Sequence, residues 1–221
     1  MLIRPWDATL GEREWQEWLA VSGHFGVLAV NNLDPASAPV LVPTHFTFAG
    51  EELLLHLANA NPVWPHLEAA AEVRLAIFGD YAYIPSYWRA KAGGPDEDGV
   101  PTSYYAAVQF TCRPTVVDDP QGKVEILAAQ LGAFQPEGGH AELGVDSEPY
   151  GKMLAGIRGA RLEIIAVDAK FKYDDHNPAE HRERVIGHLE ERGSGLDVGA
   201  ARQQRRRLAE IGDWREFRNQ E

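Results

Sequence analysis

Cysteine is nearly absent from this sequence, with Cys112 alone among 221 residues. A single thiol excludes an internal disulfide framework, so the chain must hold together by packing, as proteins of a reducing compartment do. Long apolar runs are missing too. The stretch from Leu53 to Ala60 is broken by His56 and Asn59, far short of the roughly 18 consecutive apolar residues of a membrane span. Met1 to Asp7 places Pro5 and Asp7 where a signal peptide needs its apolar segment. The expectation is a cytoplasmic protein with no membrane partner. Positive charge is scarce as well: 21 Lys and Arg against 33 Asp and Glu leave a net charge of −12. Such a surface repels phosphate backbones, which makes nucleic acid an unfavourable partner. The phosphate-cradling Gly-Lys-Ser/Thr loop, G-x-G-x-x-G, G-x-S-x-G and H-E-x-x-H are all lacking, so no single motif announces catalysis.

What is present is ordinary globular composition, 44% hydrophobic, 10% aromatic and 24% charged, which excludes disordered and collagen-like chains. Trp15, Trp18 and Leu19 recur at helical spacing within Glu12 to Ala20, ahead of Ser22 and Gly23. Short runs rich in Val, Leu, Ile and Phe follow: Phe25 to Val30, Val40 to Phe48, Glu52 to Ala58, Val73 to Phe78 and Tyr81 to Ile84. Asn31 to Pro35, Ala49-Gly50 and Gly79-Asp80 separate them as turns. The spacing predicts a meander of antiparallel strands, with Thr44, Phe46 and Phe48 on one face and His45 and Thr47 on the other. Arg89 to Gly99 has neither period nor apolar anchor and reads as a surface loop. Tyr105 to Cys112 and Thr115 to Val117 add strand, and Asp118-Asp119-Pro120 opens a helix over Lys123 to Phe134. After the Gly-rich Gln135 to Asp146 come a short helix, Tyr150 to Ile157, and a strand, Ala160 to Val167. Helices then follow over Ala179 to Arg192, begun by Asp175 or Asn177, and from Asp197 toward Phe217. So many short strands with helices outside them suggest a small closed barrel, since closure removes exposed edges.

Few residues stand out chemically. Cys112 lies in an apolar strand and reads as a buried, inert thiol. His176 and His181 lie near Asp174 and Asp175, but the spacing matches no familiar ligand set, so no metal is expected and the segment reads as a solvated, acidic helix entrance. More informative is His56 to Trp64, where a strand runs into Asn59 and Asn61, then Pro62 and Trp64. Amides and free helical N–H groups can grip an anionic ligand, and Trp64 can pack on a planar ring. Equally, Asn61 can serve as a helix cap and Trp64 as core.

Taken in order, His24-Phe25-Gly26, Pro43 to Phe46, His56 to Trp64, Phe78 to Trp88, Val100-Pro101-Thr102 with Tyr105-Ala106-Ala107-Val108, and Lys170-Phe171-Lys172 resemble the PaiB-type FMN-binding proteins. These are relatives of the pyridoxamine-phosphate-oxidase-like split barrels, and the likeness runs from near residue 1 to about Arg192. It implies a mainly β fold with peripheral helices, an FMN-binding split β-barrel over residues 1–176. A C-terminal helical extension, 177–221, would pack on the barrel or on a partner. It further implies a homodimer with flavin sites at the subunit interface and the FMN phosphate held by polar side chains on strands. His45, His56, Asn59, Asn61, Lys91, Thr102 and Tyr104 are the residues placed around that site, and Lys91 matches a family lysine. Three positions depart from the pattern. Asn59 stands where the family usually has Arg, Ser103-Tyr104 where it has Trp-Asn, and Asp174-Asp175-His176 where it has Ser-Gln-Asn. Asn for Arg deletes a charge-assisted bond to phosphate, stronger than the about 0.5–1.5 kcal/mol of a neutral one, and added acids repel a dianion.

Three functions follow as expectations. The first is an FMN-dependent oxidoreductase acting on a small molecule, in which the cofactor carries the redox chemistry. The second is a regulatory or ligand-sensing dimer that has lost FMN, since PaiB-type proteins are described as negative transcriptional regulators; the charge of −12 gives DNA binding no electrostatic support. The one basic cluster, Arg202 with Arg205, Arg206 and Arg207, precedes Glu210, Asp213 and Glu216 and reads as a solvated or inter-subunit salt-bridge face. The third is a haem-binding split barrel with His45 or His56 as axial ligand.

Overall fold

The turn signals and apolar runs fold into a seven-stranded sheet in the order β2-β1-β5-β6-β7-β4-β3, with helices attached. The strands are β1 (Phe25–Val30), β2 (Val40–His45), β3 (Thr47–Ala49), β4 (Glu52–Ala58), β5 (Val73–Ile84), β6 (Thr102–Val117) and β7 (Ile157–Lys172). The computed structural model describes residues 1–212, 214 and 216. Two compact units divide the chain: residues 1–22, 78–108 and 168 onward form one, and residues 23–77 and 109–167 the other. Asp213 and Phe217, which the sequence reading assigned to the last helix and its surroundings, lie outside the described residues.

In the second unit β1 pairs antiparallel with β2, from Phe25 opposite His45 to Val30 opposite Val40. Gly26, Leu28 and Val30 point inward, the alternation expected of a half-buried strand. The run Val40 to Phe48 is not one strand. Phe46 is fully buried, its N–H donates to the His24 carbonyl at 3.0 Å, and the chain changes partner there from β1 to β4. Thr47 is consequently buried as well, against the expected alternation. Nor do the strands form a meander, because β4 pairs with β7 over its whole length, Glu52 opposite Glu163 to Ala58 opposite Ile157. Gly50, with φ +62°, makes the tight turn from β3 to β4. Helix α2 (Trp64–Ala69) follows. Helix α3 (Pro120–Phe134) begins where Asp119 accepts the Gly122 N–H at 2.7 Å, a cap worth about 1 kcal/mol. Its Ile126 packs with Leu54 and Val117, a burial of about 1.5–3 kcal/mol. The short helix α4 (Tyr150–Met153) leads through a 3₁₀ turn into β7, so Ile157 is strand rather than helix.

In the first unit α1 (Glu12–Ser22) buries Trp15, Trp18 and Leu19, the periodic apolar set. Two predicted strands here are one: β5 continues through Gly79-Asp80. Asp80 takes φ +47°, which Asp tolerates. Its carboxylate accepts from Trp18 Nε1 at 2.9 Å and Gln203 Nε2 at 3.0 Å, so the strand bends without ending. Similarly β6 runs from Thr102 through Pro114 to Val117 as a single strand. Helix α5 (Ala179–Arg192) starts at Pro178 with no capping side chain. Asp175, the expected cap, instead turns inward to Arg182 and Arg207. Asp197 belongs to the first turn of α6 (Asp197–Ile211), accepting from Ser194 N–H at 2.9 Å and pairing with Arg192 at 2.6 Å. No helix among the described residues is long and apolar enough to cross a membrane.

Candidate functional site

The end of β7 reads Lys-Phe-Lys, and strand alternation sets Lys170 and Lys172 on the side opposite the fully buried Phe171. Lys172 Nζ donates to Thr102 Oγ1 at 2.6 Å and to the Ser103 carbonyl at 2.8 Å. Lys170 Nζ donates to the Leu2 carbonyl at 2.9 Å and lies 3.7 Å from Asp7. Both ammonium groups lie over the Tyr105 ring, at 5.4 and 6.0 Å. Burial pulls the Lys172 pKa down, with the Asp174 and Asp7 charges opposing it. Two ammonium groups, one hydroxyl and an aromatic face thus gather on one stretch of β6 and β7, a donor set suited to a phosphate beside a flat ring.

Beyond this cluster the two acids of the Asp174-Asp175 pair are not solvated, as the sequence suggested. Both are buried. Asp174 adopts φ +58° and accepts from Arg89 Nη2 at 2.7 Å. Asp175 accepts from Arg182 at 2.8 Å and Arg207 at 2.6 Å, and Arg207 also donates to Glu14. Their charge is met within the chain. Only His176 is exposed, its ring 4.8 Å from that of Trp6. Tyr104 is enclosed completely: its hydroxyl receives Gln204 Nε2 at 3.1 Å, its ring meets Tyr173 edge-on at 5.7 Å, and burial holds its pKa well above the ordinary value. Lys91 is in the lining of a cavity of about 650 Å³ with Arg89, His181 and Arg184, a lining that does not include Thr102 or Tyr104.

The remaining predicted residues belong to the other unit. His45 and His56 meet edge-on with ring centroids 5.3 Å apart, and Phe134 lies 5.5 Å from His45. Gln130 Nε2 donates to the Leu54 carbonyl, so its Oε1, 2.6 Å from His56 Nδ1, accepts the imidazole proton. That tautomer, assigned from the network, leaves the His56 Nε2 lone pair open. Burial lowers the pKa of His24 and His45, and the neighbouring His56 lowers His45 further. Asn61 Oδ1 accepts the Val63 N–H at 3.0 Å, while Trp64 is buried and donates Nε1 to the Ala58 carbonyl at 2.9 Å. Both serve the turn itself. Asn59 is exposed, and its backbone N–H donates to the Gly156 carbonyl at 2.8 Å. Cys112 is buried, which pushes its thiol up to about 12. No group of three or more His, Cys, Asp or Glu among the described residues is arranged to hold a metal ion.

Sequence reasoning singled out the Lys170-Phe171-Lys172 block without counting its lysines as site residues, weighed His181 only as a metal ligand, and missed Arg89 and Arg184. The lysines carried a usable signal, two cations at strand period flanking a Phe. The arginines carried none, because only folding brings residues 89 and 184 to one cavity.

Comparison with known proteins places these observations. Residues 3–166 match the family described as "Putative FMN-binding domain". None of the curated proteins matches the chain. Among solved structures, the FAD and heme binding protein from Mycobacterium smegmatis is 16% identical, with 79% of this chain and 78% of that one covered and a TM-score of 0.58. The flavocytochrome Anf3 from Azotobacter vinelandii is 15% identical over 76% of this chain and 70% of that one, with a TM-score of 0.56. At such identities the likeness establishes the fold alone, the antiparallel split-barrel sheet with attached helices. Because the family match spans residues 3–166, well over half of the chain, this protein belongs to the putative FMN-binding domain family.

Proposed function

We propose that the chain is a PaiB-type flavoprotein that binds FMN and serves as an oxidoreductase toward a small molecule. The observation that carries this reading is the family match over residues 3–166. The residues of the first unit fit the group: Lys172, Lys170 and Thr102 would hold the phosphate, and Tyr105 offers a face to a ring. Bound flavin supplies hydride and electron transfer; the protein's part is to bind, orient and exclude water. Half-burial of Lys172 sharpens its contribution, since a hydrogen bond to an anion strengthens as water leaves. The absence of Arg at position 59 is offset in this reading by the two lysines on β7. Assembly is part of the proposal: Phe78, Tyr81, Tyr83 and Tyr87 expose aromatic surface along one stretch, which suits a homodimer.

The test is direct. Purified protein should absorb at the flavin bands, or bind added FMN with a rise in melting temperature, and Lys172→Ala should lose most of that affinity. Colourless protein with no thermal shift in excess FMN defeats the reading and leaves a flavin-free, ligand-sensing dimer in its place. A second reading, haem, is favoured by one feature: the His56 Nε2 lone pair is open beside His45. Two solved structures of similar fold are described as an FAD and heme binding protein and a flavocytochrome. A Soret band on adding hemin, lost in His56→Ala, supports haem; no band removes it.

A further inference from the structure

The cavity of about 650 Å³ in the first unit is of small-molecule size. Cations reach it from separate stretches of chain: Arg89 and Lys91 from the segment after β5, and Arg184 from α5. Arg89 is anchored by Asp174. Arg184 donates to the Ala90 carbonyl at 3.1 Å, which ties the guanidinium to the Lys91 loop. The Lys91 side chain has no ion pair or hydrogen bond among the described residues. Carboxylates are fewer in the lining. Glu180 is largely exposed and 3.6 Å from Arg184, and Asp98 is the other.

The same wall contains the start of α5. Pro178 has no N–H, the first backbone bond runs from Arg182 N–H to the Pro178 carbonyl at 3.1 Å, and no side chain caps the helix. The N–H groups of residues 179 to 181 therefore precede the helical ladder, at the positive end of its dipole. His181 is in the lining as well. Arg184 Nη2, which can only donate, lies 3.5 Å from His181 Nδ1, so the ring proton falls on Nε2. That Nε2 is buried with no hydrogen-bond partner. Burial lowers the His181 pKa and keeps the ring neutral, Asp174 opposing and Arg184 and Arg89 assisting.

We propose that this cavity seats the phosphate, or an equivalent oxyanion, of a small-molecule ligand, held by Lys91, Arg184 and the first N–H groups of α5. Donors converging from one loop and one helix suit a tetrahedral oxyanion. The lining contains no Phe, Tyr or Trp, so the site offers no stacking platform for a flavin ring. Thr102, Lys170 and Lys172 are not among its lining residues, and the proposal stands whether or not FMN binds.

Calorimetric titration of the flavin-free full chain with inorganic phosphate, at constant ionic strength in chloride, tests this. One saturable site per chain is expected. Lys91→Gln and Arg184→Gln should each weaken binding about tenfold or more, the loss of one charge-assisted contact. Lys91 is exposed, so its variant keeps the test valid should Arg184→Gln misfold. No saturable heat at millimolar phosphate, or a folded Lys91→Gln that binds as tightly as the parent, overturns the proposal and leaves the FMN reading untouched.

Discussion

Arg182 and Arg207 are both completely buried, and a guanidinium survives there only where carboxylates meet it. Asp175 lies between them, at 2.8 and 2.6 Å. Removing one member of such a group leaves uncompensated buried charge, at a cost of about 3–5 kcal/mol. Asp175→Ala should therefore lower the unfolding free energy by about that amount in urea, whereas Arg205→Ala, a half-exposed residue paired with Glu190, should change it by less than about 1 kcal/mol. Equal small losses would mean the buried group contributes nothing special. Glu14 extends the group through Arg206 and Arg207. Its burial alone would raise its pKa, but the Arg207 charge and the hydrogen bonds from Arg206, Arg207 and the Leu10 N–H hold it below the ordinary carboxylate value. A depressed folded-state pKa gives stability that is present above the unfolded value near 4.5 and lost as pH falls through the folded one. Glu14→Gln should thus flatten the loss of stability between about pH 5 and 3, read as the urea midpoint at each pH. A parallel pair of curves would show that Glu14 is not the titrating group. The basic run near the C-terminus reads from sequence as a solvated or inter-subunit face, and Arg207 corrects that: it is fully buried and pairs within the chain with Asp175 and Glu14. Helical spacing gives a face, and only the arrangement of the other helices decides that Arg207 is the buried one.

At the scale of elements, agreement and failure have one physical origin. Helices α1, α3 and α5 were readable because their signals are local: an apolar stripe in α1, Asp119 before Pro120, and Gly193, with φ +54°, after Arg192. Strands were misread where tertiary contacts override a local break. Gly79-Asp80 carries a turn signal, yet Trp18 and Gln203 hold Asp80 within a continuing strand. Val40 to Phe48 carries a strand signal, yet full burial of Phe46 coincides with a change of partner. The site was legible only in fragments, since Thr102 and Lys172 are hydrogen-bonded across 69 intervening positions of chain. The segment from Arg89 to Gly99, read from sequence as a loop, holds a 3₁₀ turn over Asp96–Asp98, and its course is fixed by a close approach. A Cβ on Gly99 would fall 1.8 Å from the Ser86 carbonyl oxygen and 2.8 Å from the Ala90 nitrogen, backbone atoms that cannot rotate aside. Gly99→Ala should cost about 1–3 kcal/mol, a drop of about 2–4 °C in melting temperature for each kcal/mol. A melting temperature equal to the parent's would show that the loop yields freely.

For the molecule as a whole, the decisive quantity is the surface it leaves to water. Within the strand β5, Ala82 and Ile84 are buried while Tyr81 and Tyr83 are each 51% exposed, so the two tyrosines share one face. Phe78, at 71%, and Tyr87, at 57%, extend the aromatic surface to either side. Scattered exposed aromatics are normal, but several in so short a stretch are the composition of an interface core. Two-fold pairing is the simplest closure of such a face. Sedimentation at micromolar concentration should give twice 24.5 kDa. The double substitution Tyr81→Glu with Tyr83→Glu should bring it down to 24.5 kDa, with far-UV circular dichroism unchanged. Were flavin held between two copies, the same variant would also lose FMN affinity, while an FMN affinity equal to the parent's would assign the whole flavin site to one chain. A parent chain that sediments at 24.5 kDa would end the dimer proposal and leave the aromatic face to a different partner.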